Sequence, residues 1–151
     1  MRAYRWGLLV VVAFGFASAG IASAVTPEDA IVQRQAGMKK NGDYLFPLGK
    51  KLSSVSDVAE FAPGARDVAA FAKEIPSLFP PGSETGHKTR AKAEIWSDTA
   101  QFKQDADNLS TQMDKLAQLA AANDKPGFVA QFKVAADACN TCHNKFRAPA
   151  P

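Results

Sequence analysis

The strongest constraint on the fold is the series Ile95, Thr99, Phe102, Ala106, Leu109, Met113, Leu116 and Ala120, which advances in alternating steps of four and three residues. That spacing keeps one stripe of a helix turned toward its neighbour along the whole segment, and predicts a bundle helix. Other stretches repeat it less regularly. Thr26-Pro27-Glu28-Asp29 offers a capping hydroxyl, a proline suited to the first helical position and acids beside the positive end of the helix dipole. Ile31, Met38, Leu45 and Leu52 then follow every seven residues, with Asn41-Gly42 and Pro47 expected to weaken or kink the second half. Val58, Phe61, Ala65, Val68, Ala72 and Ile75 keep helical spacing across Pro63-Gly64, which predicts one kinked helix. Asn123-Asp124 closes the third helix and opens a fourth, marked by Phe128, Phe132, Ala135, Cys139, Cys142 and Phe146. Pro76, Pro80, Pro81, Gly82, Ser83 and Gly86 form the one sizeable connection, and nothing reads as a strand. The expected class is all-α: an antiparallel four-helix bundle, whose core can house a cofactor between facing helices.

The first 24 residues stand outside this pattern. Arg2 and Arg5 precede the apolar run from Trp6 to Phe14, and small residues lead to Ala22-Ser23-Ala24. Together they read as a secretory signal peptide cleaved after Ala24, with an uncleaved anchor as the alternative. The apolar run is too short to span a bilayer as a mature helix. Cleavage leaves residues 25–151 as one domain of 127 residues in the periplasm, and no membrane insertion of the mature chain is expected. Losing Arg2 and Arg5 takes the formal charge from +3 to +1. Such a chain has no basic run for nucleic acid or an anionic membrane, and its expected partners are redox proteins.

In an oxidising compartment two cysteines ordinarily suggest a disulfide. Here they form Cys139-Asn140-Thr141-Cys142-His143. Positions i, i+3 and i+4 share one helical face, so both thiols and the imidazole serve one planar macrocycle: the thiols add to two haem vinyl groups and His143 ligates the iron. A disulfide would leave the histidine without a role and close only a tiny loop. A redox-active pair of cysteines belongs in a strand-rich setting. Zinc would need a fourth ligand, and the other histidine, His87, lies in the long connection.

A second axial ligand is expected opposite His143. Met38 on the first helix is the first candidate, although Met113 occupies an equally good stripe and methionine is a common core filler. Arg34, one turn before Met38, and Arg147, one turn after His143, are candidate partners of the haem propionates; a solvated arginine is the alternative for each. Trp96, Phe102, Phe128 and Phe132 could pack on the macrocycle or simply fill the core. No acid, base or nucleophile constellation is visible, so no substrate turnover is assigned and the chain is not read as an enzyme.

A haem motif near the carboxyl end of a four-helix chain resembles the class II cytochromes c, the cytochrome c′ and cytochrome c-556 family. The matching pieces are Arg34-Gln35-Ala36-Gly37-Met38-Lys39-Lys40-Asn41-Gly42, Ile75-Pro76-Ser77-Leu78-Phe79-Pro80, Glu94-Ile95-Trp96, and Ala138 through Arg147. Ala93 stands where the family often has proline. The resemblance implies one covalent haem c. It also implies a branch point at Met38: cytochromes c′ usually place a non-bonding apolar side chain there and leave iron five-coordinate, whereas the low-spin cytochrome c-556 branch uses methionine. The chain is accordingly expected to carry single electrons on His143/Met38-ligated iron, with binding of nitric oxide or carbon monoxide at an open distal site as the alternative. A homodimer through the first two helices is a further implication.

Overall fold

A computed structural model describes residues 25–150; the expected signal peptide, residues 1–24, lies outside them. Four long helices make an all-α, four-helix bundle. The first, α1 (Pro27–Lys51), begins as the sequence indicates: the Thr26 hydroxyl accepts from the Asp29 amide, and Pro27, Glu28 and Asp29 fill the first turn. Pro47 lies inside α1, which continues four residues beyond it. The helix continues although Pro47 cannot donate to the carbonyl four residues before it, a loss confined to one rung of the ladder.

The second segment differs from the expected kinked helix. A 3₁₀ turn, Ala59–Phe61, leads into α2 (Ala62–Glu74), and Pro63 stands in the first turn of α2. Proline is well tolerated there because that amide has no intrahelical partner, so Pro63 starts a helix instead of bending one. The apolar spacing survives the junction: Val58, Ala65, Val68, Ala72 and Ile75 are all buried.

The third segment is also divided. A short helix, α3 (Glu94–Ser97), stops at Asp98, whose carboxylate accepts from the Gln101 amide and caps α4 (Thr99–Ala121). Capping wins over continuation because Asp98 satisfies an otherwise unpaired amide of the new helix. Thr99 is exposed, whereas Ile95, Phe102, Ala106, Leu109, Met113, Leu116 and Ala120 are buried along the predicted seam. Asp124 caps the last helix, α5 (Lys125–Phe146), through the Gly127 amide. Among the described residues the only β-pairing is an isolated bridge between Ala91 and Arg147, which ties the long connection to the end of α5.

Packing centres on α4, which lies against both α2 and α5. Helix α1 meets α2 where glycines allow it: a Cβ at Gly37 would collide with the Phe71 ring, and one at Gly64 with the Tyr44 ring. The Tyr44 hydroxyl donates to the Phe61 carbonyl at 2.7 Å. Burial pushes the Tyr44 phenol from 10.0 up to about 12. A folded-state value above the unfolded one means that the stabilisation is complete below pH 10 and is lost as pH rises from 10 toward 12. Tyr44→Phe should therefore cost about 1 kcal/mol at neutral pH and flatten the fall in stability over that window. Urea unfolding at a series of pH values checks both effects.

Candidate functional site

Between α1 and α5 lies a cavity of about 620 Å³. Cys139, Cys142, His143 and Phe146 of α5 line it, as do Arg34, Met38 and Leu45 of α1, and Phe79, Lys88, Thr89 and Arg90 of the connection. Both cysteines are free and half-buried. Burial raises the Cys139 thiol; burial, then Asp105 and Cys139, push the Cys142 thiol up to about 12. These are neutral thiols, unlike the thiolates of redox-active pairs, which are favoured by nearby positive charge. His143 is shifted the other way: burial first, then the guanidinium groups of Arg147 and Arg90, hold it below the ordinary imidazole range. A neutral imidazole keeps a nitrogen lone pair available for a metal. Among the described residues no cluster of three His, Cys, Asp or Glu side chains is disposed to hold an ion by itself.

The two methionine candidates separate clearly. Met38 lines the cavity from α1, whereas Met113 is wholly buried among core side chains and does not reach it. The donor set therefore fits a covalent haem: two thiols and an imidazole on one wall, a thioether on another, and apolar surface from Leu45, Phe79, Ile95, Leu109 and Phe146 between them.

Comparison with known proteins gives this arrangement its family. Residues 29–147 match the family model described as Cytochrome C′. The chain belongs to the cytochrome c′ family. A cytochrome c′ of Pararhodospirillum photometricum is 32% identical over 123 residues, covering 81% of this chain and 98% of the relative. A cytochrome c-556 of Agrobacterium fabrum is also 32% identical, over 129 residues, covering 83% and 86%. The crystal structure of cytochrome c′ from Thermochromatium tepidum superposes with a TM-score of 0.78 at 28% identity, covering 84% of this chain and all of that one. Similar solved structures include nitric oxide and carbon monoxide complexes of variants of cytochrome c prime from Alcaligenes xylosoxidans. Relatives of both names match, so membership leaves the c′ and c-556 branches unseparated.

Within this cytochrome c′ fold the two candidate arginines occupy different surroundings. Arg34 is 3% exposed and stacks on the Phe79 ring, with its guanidinium carbon 4.2 Å from the ring centroid. Its Nη atoms donate to the Leu78 carbonyl, the Ser83 hydroxyl and carbonyl, and the Thr89 hydroxyl at 2.6–3.0 Å. Arg34 thus pins the connection that forms one cavity wall. Arg147 makes no ion pair among the described residues, and burial, then the neighbouring Arg90, depress its pKa. Two like charges at one wall suit the carboxylates of an acidic cofactor.

Of the two readings open for the aromatic residues, core filling is the one that the structure shows. Trp96, Phe102, Phe128 and Phe132 are not on the cavity; the rings that line it are Phe46, Phe79 and Phe146. Phe128 stacks on Phe61 in the core, and Phe102 is held edge-on between Phe79 and Phe146. A bundle stripe marks burial without saying which buried surface a ring meets. Arg90 and Lys88 escaped sequence reading altogether, because the connection that carries them has no periodicity.

Proposed function

We propose that the chain is an exported monohaem cytochrome that carries single electrons, attached through Cys139 and Cys142 and ligated by His143 and Met38. The observation that carries this reading is the position of Met38 on the cavity while Met113 lies away from it. Bound haem supplies one-electron Fe(III)/Fe(II) chemistry. The chain's residues supply the rest. Cys139 and Cys142 would fix the macrocycle, His143 would offer a neutral imidazole to the iron, and Met38 would supply a soft thioether ligand that raises the reduction potential. Arg147, with Arg90 beside it, pairs the propionates, while Arg34 keeps the connection in place. Residues 1–24 serve as the export signal, and the mature domain begins at Val25.

Binding of nitric oxide or carbon monoxide is the second reading, and the relatives favour it: most carry the name cytochrome c′, and several solved neighbours are gas complexes. Met38 would then wall the distal side without bonding iron. Absorption spectra of the oxidised and reduced exported protein separate the two. Low-spin bands in both states support His143/Met38 ligation; high-spin, five-coordinate spectra give the protein to the gas-binding reading.

A further inference from the structure

Asp105 is the one buried carboxylate among the described residues, 8% exposed. Its Oδ1 accepts from the Gln101 side chain at 2.8 Å, but its Oδ2 has no partner. A half-satisfied buried carboxylate is costly, and the apolar seam around it would accept a neutral side chain more readily. Two cross-links fix its level along α5. Lys145 pairs with Asp98 at 2.5 Å, and the Gln131 amide donates to the Gln112 carbonyl at 3.0 Å, so α4 and α5 run antiparallel between these brackets. Seven residues inward from either bracket, Asp105 comes level with Ala138. Cys142 stands one turn further along α5.

We propose that Asp105 is a potential-setting residue, a fixed negative charge at the α4–α5 seam beside the Cys142 attachment point that favours oxidised over reduced iron. The inference rests on the haem reading above. Oxidised iron carries one more positive charge than reduced iron, so an adjacent anion stabilises the oxidised state preferentially and lowers the reduction potential. Burial makes the effect large, because little water or salt screens the charge. It opposes the upward influence of Met38, so the operating potential is a balance between a ligand on α1 and a charge on α4.

Redox titration of the exported holoprotein and its Asp105→Asn variant tests this. The substitution keeps size and the bond from Gln101 while removing the charge. It should raise the reduction equilibrium constant by roughly three- to tenfold, the upper end corresponding to about 59 mV, and leave the absorption spectra unchanged. Asp105→Glu should stay close to the parent, and Asp105→Ser should reproduce the rise if the asparagine variant accumulates poorly. Urea unfolding of the same holoproteins separates a structural role: a shifted unfolding midpoint with an unmoved potential overturns the proposal, as does a fall in potential. Absence of covalent haem from the parent protein would instead defeat the haem reading itself.

Discussion

Met38→Leu should retain covalent haem and full helical content yet lose the low-spin spectrum. Leucine fills nearly the same volume on the α1 wall, so the packing cost should stay below about 1.5 kcal/mol. What disappears is the thioether. The reduction potential should fall, because the soft ligand that favours reduced iron is gone. Carbon monoxide should bind the reduced variant roughly 100-fold more tightly than the parent, since an external ligand no longer competes with an internal one worth nearly 3 kcal/mol. Titration of both reduced proteins with carbon monoxide, beside their spectra, measures this. Met113→Leu is the matched control: Met113 is wholly buried away from the cavity, so its spectrum should match the parent's. If Met113→Leu alone loses the low-spin bands, the ligand has been placed on the wrong helix.

Replacing both Cys139 and Cys142 by serine should abolish covalent haem entirely. Each thiol adds across one vinyl group, and serine hydroxyls do not replace that chemistry. Any haem that still enters the cavity would be held by His143, Met38 and apolar contact alone, and should leave the chain on denaturation in acidic organic solvent. Haem staining of the denatured polypeptide should fall to background. Retention of stain by the double variant would show that attachment runs through another residue.

These expectations draw on parts of the chain that differ in how plainly their sequence could be read. The seam from Ile95 to Ala120 was legible because burial on a bundle helix imposes a period on the sequence, and it emerged buried except at Thr99. Its interruption was less legible. Asp98 is equally compatible with an exposed helical position and with a cap, and only the local backbone selects the cap. Pro63 posed the same problem, since proline bends a helix interior but begins a helix when placed in its first turn. The α5 wall was readable because Cys139, Cys142 and His143 are local in sequence and share one face. The opposite wall was not, because choosing Met38 over Met113 requires knowing which stripe meets the cavity. Arg34 illustrates the same limit: its partners Leu78, Ser83 and Thr89 lie 44 to 55 residues away, and no periodicity announces them.

The most direct test of the central claim, one haem bound covalently through Cys139 and Cys142, is the intact mass of the exported protein. It should be measured after denaturation and acidic organic extraction. The expected polypeptide begins at Val25 and is heavier than its amino-acid sequence by one haem. A polypeptide of unmodified mass, with haem released into the organic phase, would contradict it.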